Sequence, residues 1–367
     1  MLATMKRLKF SIVSLNYNGR KILGPLLDAH LSSLLNTAYD DFEILFVDNG
    51  SSDDSVDYVR TNFSNERLKI VPLEKNYGYA KGNNLALKFV NPSSDIVVFI
   101  NNDTIVTKDW LTYLADAFNE PTIGIAQPLI LDMNTSLIQF LGGFTDQWGR
   151  TMTIGSGNDD RVDRLLRKII EYFQYKPLQV LWAYGACIAI RKRLLDRIGG
   201  FNELFRFSHE EQSLCIPANA LGYKVVVVPK AVIYHRSGAT ISKVKPDYEL
   251  LVNRFLYMLF YYPFPMLVKS LLGRLILEVH SSSLHNVLKA LLEALKISRS
   301  SLSKIKDIYK ISYDFLISSP INLKSDMHIE LTLKKLIEVN KVYAHSNWRK
   351  DVRNSFSNYI SKSIIVD

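Results

Sequence analysis

Apolar residues fall along the first half of the chain in short runs, each closed by a cluster of small polar residues. The runs are "FSIVSLNY", "FEILFVD", "LKIVPL", "DIVVFI" and "IGIAQPLI". Amphipathic stretches lie between them, at residues 21–35, 54–63, 80–90 and 108–118. This alternation predicts strands of a parallel sheet covered by helices, an α/β fold. In such sheets ligands bind beyond the carboxyl ends of the strands. The residues just after each run are therefore where chemistry is expected.

The pattern weakens over residues 142–177. There "TIGSGNDDRVD" predicts a mobile loop and residues 161–175 a short amphipathic helix, and segments of this kind often cover sites. Sheet-like pattern returns at "VLWAYGACIAI" and "YKVVVVPKAVIYH". Pro246 then marks a boundary between a catalytic-sized unit, 1–245, and a helical C-terminal region, 246–367. Within that region "FLYMLFYYPFPMLV" is strongly apolar but only 14 residues long. A spanning helix needs about 20, and Pro263 and Pro265 interrupt this one. It reads equally as an interfacial membrane anchor or as a core helix pair, since periodicity does not separate the two.

Composition adds little until charge is placed along the chain. The 367 residues are 47% hydrophobic and 22% charged, as in ordinary globular proteins. Two cysteines, Cys187 and Cys215, give neither a disulfide framework nor a zinc spacing, which fits a reducing compartment. The start of the chain has no clear signal-peptide core, so its apolar run reads as the first strand. Residues 251–367 hold 17 Lys and Arg against 9 Asp and Glu, and so carry +8 of the formal +9. Such a stretch suits an anionic surface: a membrane, nucleic acid or a phosphorylated substrate. No nucleic-acid-binding motif accompanies it, so nucleic acid is set aside.

The polar strand ends carry the candidate chemistry. They read "NYNGR", "VDNGSSDDS" and "INNDT", and each alone is ordinary turn and helix-cap chemistry. Their recurrence at one sheet edge points further. Asp48 is placed to accept hydrogen bonds from a base or ribose, as acids at strand ends do in nucleotide folds. In "EKNYGYAKGNN", Gly78 and Gly82 flank Lys81 ahead of a helix, an arrangement that allows backbone to approach a phosphate. It is not a Walker A sequence, and a tight turn explains it equally well. Asp103 suits a hard divalent cation, which is often held by one or two carboxylates plus substrate phosphates. His235 is a further candidate ligand, although a strand-end histidine more often has a simple hydrogen-bond partner. In "HEEQSLC", Glu210 and Glu211 open a helix, where acids complement the dipole; equally, one of them suits a general base.

With these stretches in order, the chain resembles family 2 glycosyltransferases of the GT-A fold, in particular rhamnosyltransferase-like members. The resemblance covers about the first two thirds, through "SIVSLNYNG", "FEILFVDNGSSDDS", "NYGYAKGNN", "FINNDT", "GACIAIRK", "IGGFNELF", "HEEQSLC" and "VPKAVIYH". It implies an inverting transfer of a sugar from a nucleotide-diphosphate donor to an acceptor hydroxyl, with Mg²⁺ or Mn²⁺. By the same resemblance Asn16 and Asp48 lie near the nucleotide, and Gly78, Lys81, Gly82, Asn83 and Asn84 border the donor. Asn101, Asn102 and Asp103 match the family's metal motif, with Asn101 in place of its first acid. Glu211 falls on the catalytic base and Glu210 on the Glu before it. The chain departs in having Glu rather than Asp at the base, Lys81 where many relatives have Gly, and Ile216-Pro217 where many have Trp-Arg.

The leading expectation is a transferase on the cytoplasmic side of a cell membrane, peripheral on its inner face, acting on a lipid-linked or growing glycan. A weakly catalytic or non-catalytic sugar-nucleotide-binding subunit that recruits a partner through its helical tail is the alternative, motivated by "LCIPAN". A nucleotidyltransferase is a third reading, disfavoured by the lack of a Gly-rich, basic N-terminal loop.

Overall fold

The structure is a computed structural model that describes residues 7–205, 208–236, 238, 247–279, 284–302, 316–317 and 325–340. The chain opens with β1 (Phe10–Asn16), α1 (Gly19–Leu23), α2 (Pro25–Leu35), β2 (Phe42–Asp48), α3 (Ser55–Asn62), β3 (Leu68–Pro72), α4 (Tyr79–Ala86) and β4 (Ile96–Asn101). The four strands pair in parallel in the order β4-β1-β2-β3, as the alternating pattern predicts. Every residue of β2 is buried, as expected of a strand covered on both faces. The helix expected at 21–35 is broken in two. Gly24 takes φ 56°, and Pro25, which has no N–H to donate, starts the next helix.

Beyond β4 the sheet departs from the parallel expectation. There follow β5 (Thr104–Val106), α5 (Trp110–Phe118), β6 (Ile123–Asp132), β7 (Ile138–Phe140), β8 (Gly143–Asp146), β9 (Thr151–Thr153), α6 (Asp160–Tyr172), β10 (Leu178–Val180), β11 (Cys187–Arg191), α7 (Lys192–Ile198), α8 (Gln212–Ala220) and β12 (Lys224–His235). The place beside β4 is taken by β11, running antiparallel, with Cys187 opposite Ile100 and Arg191 opposite Ile96. Then come β6, β12 and β10 in that order, and the sheet is mixed. An apolar run reports burial on both faces but not strand direction. That is why the sequence pattern did not distinguish β11 from a parallel neighbour.

The segment expected to be a mobile loop is partly ordered structure. Ile154 N–H donates to Gly142 O and Ser156 N–H to Ile138 O, and Asp159 caps α6 by accepting from the Arg161 N–H. The strands here are three or four residues long, too short to show a period.

The C-terminal elements are α9 (Asp247–Tyr261), α10 (Phe264–Val279), α11 (Leu284–Leu302), β13 (Leu316–Ile317) and α12 (Ser325–Asn340). The boundary expected at Pro246 lies outside the described residues. Two of the open readings separate here. The first half of the apolar segment is core: Phe255, Leu256, Tyr257, Met258, Phe260, Tyr261 and Tyr262 are buried in the same cluster as sheet residues Val13, Phe99 and Ile188. The second half, on α10, leaves Phe264 and Val268 exposed.

Candidate active site

The sheet's carboxyl edge gathers the polar strand ends. β12 reaches it through a register shift between Val228 and Val232, at Pro229, the kind of bulge that redirects a strand. Its last residues pair with β5, so that His235 lies opposite Thr104. Arg236 N–H then donates to Asp103 O at 3.0 Å. The result is that His235 Nε2 lies 3.4 Å from Asp103 Oδ1, both residues being buried.

The protonation pattern of this pair follows from its neighbours. Gln139 Oε1 is 2.6 Å from His235 Nδ1, and the Gln139 amide nitrogen donates to Asp132 at 3.4 Å. An amide oxygen only accepts, so Nδ1 carries the proton in the neutral ring and Nε2 presents its lone pair. That lone pair faces Asp103 Oδ1, which has no hydrogen-bond partner. With the ring neutral these two acceptor atoms repel, and either a proton on Nε2 or a metal ion bound by both atoms relieves the repulsion. The donor set therefore fits a divalent metal ion, with the remaining positions open to substrate oxygens. Among the described residues no three His, Cys, Asp or Glu side chains gather, so these residues supply a pair and not a complete cage.

Next to it is a continuous amide and carboxylate network. Asn102 Nδ2 donates to Asn16 Oδ1, and Asn16 Nδ2 donates to Asp48 Oδ1, each at 2.9 Å. Asp48 also accepts from the Ser51 N–H at 2.9 Å and from its hydroxyl. Asn101 is held by its backbone: its N–H donates to Ala186 O, and its O accepts from the Thr104 hydroxyl. Asn101 thus ends β4 without adding a carboxylate to the metal corner.

The expected donor loop divides by role. Gly78 sits at φ 78° at the start of α4, where a side chain would be strained. Gly82 lets α4 approach β1: a Cβ there would stand 3.1 Å from the Leu15 methyls. Asn83 is buried and donates to Tyr79 O. Asn84 accepts from the Phe201 N–H and donates to Phe201 O, clamping the turn after α7. Those two amides are engaged within the protein. Lys81 is exposed, with its ammonium 5.3 Å from the Tyr77 ring centre.

Glu210 and Glu211 stand at the N-terminus of α8, Glu210 buried and Glu211 partly buried. Burial raises both carboxyl groups above the usual carboxylate range, and the charge of Glu211 raises Glu210 further. The charges of Asp103 and Glu211 both act on Tyr79 and Tyr184. Pro217 lies inside α8 and is buried.

Sequence reading missed four residues here. Gln139 orients His235. Tyr79 donates to Gly185 O at 3.0 Å, and Tyr184 stacks on Phe140 with ring centres 3.4 Å apart. Asn49 accepts from the Tyr77 N–H and donates to Asn76 Oδ1 and Gly78 O, bracing the donor loop. Asn49, Tyr79 and Tyr184 lay within the stretches "VDNGSSDDS", "NYGYAKGNN" and "VLWAYGACIAI", whereas Gln139 lay in none.

The residues at the sheet's carboxyl edge thus include a buried Asp–His pair and an amide–carboxylate network, and α8 opens on a pair of carboxyl groups. The sequence pattern of Glycosyl transferase family 2 matches residues 11–199, and the chain belongs to that family. It is 26% identical over 224 residues to an uncharacterized protein of Sinorhizobium fredii, covering 59% of this chain and 23% of that one. It is 25% identical to the O-antigen biosynthesis protein RfbC of Myxococcus xanthus, covering 57% of this chain and 16% of that one. The chain thus spans a quarter or less of these two relatives. It is 26% identical to the N-acetylglucosaminyl-diphospho-decaprenol L-rhamnosyltransferase of Mycobacterium tuberculosis, over 59% of this chain and 74% of that one. Among solved structures, GalNAc-T7 with UDP, GalNAc and Mn²⁺ superposes with a TM-score of 0.58 at 14% identity, covering 80% of this chain and 55% of that one. That likeness bears on fold alone.

Proposed function

We propose that the chain is an inverting glycosyltransferase that moves a sugar from a nucleotide-diphosphate donor to an acceptor hydroxyl on a lipid-linked or growing glycan. The observation that carries this reading is the buried Asp103 Oδ1, without a hydrogen-bond partner and 3.4 Å from His235 Nε2. Asp103 and His235 would hold Mg²⁺ or Mn²⁺, which when bound neutralises charge on the diphosphate leaving group. Asn16 and Asp48 receive the nucleoside, and Gly78 with the first residues of α4, Lys81 to Asn84, borders the donor. Glu211 takes the proton of the acceptor hydroxyl. The acceptor oxygen then bonds to the anomeric carbon from the face opposite the diphosphate, whose bond to that carbon breaks, so the configuration inverts. Glu210 holds a neighbouring carboxyl and tunes the base through its proximity.

The acceptor class is drawn from likeness to the rhamnosyltransferase, which is named for a diphospho-decaprenol-linked sugar. An acceptor of that class supports a place of action on the cytoplasmic side of a membrane, with the enzyme peripheral on its inner face. The unit that does the chemistry is 1–245, with 246–367 as its helical support. Purified protein, divalent metal and a panel of sugar nucleotides should release nucleoside diphosphate on adding a lipid-linked acceptor. Full turnover by both Glu211→Gln and Asp103→Ala would overturn the assignment.

A further inference from the structure

No described helix is long and apolar enough to cross a membrane, yet α10 and α11 leave apolar residues in solvent at a regular spacing. On α10, Phe264, Val268 and Leu272 are 76%, 51% and 59% exposed. On α11, Leu284, Leu288 and Leu292 are 54%, 44% and 67% exposed. A spacing of four puts each trio on one face of its helix. Neither helix lacks a buried face. On α11, Val287, Ala290 and Ala294 are buried, and the helix packs on α9. On α10, Ser270 and Gly273 are buried, Gly273 so close to Trp148 that a Cβ would stand 2.2 Å from its ring. Each helix therefore has more apolar arc than the fold covers. Scattered exposed leucines are ordinary, but ordered rows on two packed helices are not.

Charge says what covers them. Lys296 follows Leu292 by one turn and is exposed, as are Lys269 and Lys289 next to Val268 and Leu288, whose ammonium groups lie over the Trp148 and Tyr248 rings; the exposed acid beside Leu292, Glu293, is engaged by the Tyr248 hydroxyl. Residues 264–302, which carry the two helices, hold five Lys and Arg against two Glu, a formal +3. A second copy meeting the same face would bring like charges together, whereas an anionic surface neutralises them. An apolar row edged with lysine on a helix too short to span is the arrangement of a helix that lies in the bilayer interface.

We propose that the outer faces of α10 and α11 dock on an anionic lipid bilayer, lying in its interface without crossing it. The inference rests on the membrane-side reading above, but its test does not use turnover. Removing 251–367 would not serve as that test: α9 belongs to the main core, so truncation unfolds what it should only detach.

The full chain is floated with vesicles of phosphatidylcholine containing phosphatidylglycerol, and with phosphatidylcholine alone. Binding should be strong on the first, weak on the second, and reduced by salt. The pairs Val268→Glu with Leu272→Glu, and Leu288→Glu with Leu292→Glu, should each lower binding by about tenfold or more. The milder Leu272→Ser with Leu292→Ser should lower it less, and all should keep the wild-type thermal shift with donor nucleotide. Wild-type protein that stays unbound on anionic vesicles overturns the proposal, as do glutamate pairs that float as well as wild type. So does light scattering that shows a dimer broken by Leu272→Ser. An enzyme that floats yet releases no nucleoside diphosphate would leave this surface standing and overturn the catalytic reading instead.

Discussion

His235 Nε2 and Asp103 Oδ1 face each other at 3.4 Å as two acceptors, because Gln139 takes the one ring proton on the other side of the imidazole. That relationship makes the pair a place for a cation, and it orders three variants. Asp103→Ala should abolish measurable Mn²⁺ binding in the presence of nucleoside diphosphate, and His235→Ala should weaken it. Gln139→Leu should weaken it by about 10- to 100-fold, the usual effect of losing an outer partner of a metal ligand. Gln139→Glu, which still accepts from Nδ1, should recover most of the loss. Calorimetry with and without nucleotide checks this. A nitrogen donor also suits Mn²⁺ better than Mg²⁺, which strongly prefers oxygen. Equal affinity for the two ions, or Mn²⁺ affinity indifferent to nucleotide, would contradict the assignment.

The parts of this site that could be read from the sequence are those made by residues close in the chain. Asn101 to Asp103 end one strand, Asp48 to Ser51 end another, and turn chemistry marks both. Glu210 and Glu211 were visible for the same reason, as acids opening a helix. Gln139 was not, because its strand is three residues long and its partner lies 96 residues away. The direction of β11 was equally hidden, since burial on both faces looks the same in either direction. The roles of Gly82 and Asn84 inverted a simple expectation: the loop's shape depends on Gly82 packing on Leu15 and Asn84 clamping Phe201, contacts no local pattern encodes.

Glu211 must be ionised to accept the acceptor proton, and burial holds its carboxyl above the usual range. The rate under subsaturating acceptor should therefore rise with pH beyond the point where an ordinary carboxylate has fully ionised, and then level off. Glu211→Gln should lower turnover by about 10²- to 10⁴-fold and leave donor binding intact. Glu211→Asp keeps the charge but withdraws it by one methylene, so a loss between the two is expected. Steady-state rates across pH, with donor affinity measured separately, check all three. A flat profile for wild type would remove Glu211 as the base.

The same burial has a consequence for stability. Both glutamates bind a proton more tightly folded than unfolded. Their contribution to stability is therefore fully present below the unfolded carboxyl value and is lost as pH rises through the raised folded values. Glu210→Gln, neutral at every pH, escapes that loss. It should match wild type near pH 4 and exceed it at pH 9, since each tenfold gain in proton affinity on folding is worth about 1.4 kcal/mol. Denaturant melts at the two pH values read the difference directly. A variant less stable than wild type at pH 9 would show that the Glu210 carboxylate is compensated by a partner.

Asn49 ties the donor loop to the end of β2 through three contacts: it accepts from the Tyr77 N–H at 3.0 Å and donates to Asn76 Oδ1 at 3.0 Å and Gly78 O at 3.2 Å. Gly78, at φ 78°, depends on that bracing to keep its left-handed turn in register with α4. Asn49→Ala removes all three contacts without touching Asp103 or Glu211. It should therefore raise the donor KM by about tenfold while changing kcat little, because the cost falls on ordering the loop to receive the donor and not on the proton transfer. It should also lower stability by about 1–3 kcal/mol, the usual cost of unpaired backbone groups at a partly buried site. Asn49→Asp keeps the acceptor for the Tyr77 N–H but opposes Asn76 Oδ1 and Gly78 O with a charge, so it should not restore donor affinity. A fall in kcat with unchanged KM would mean that the loop acts on the chemical step itself.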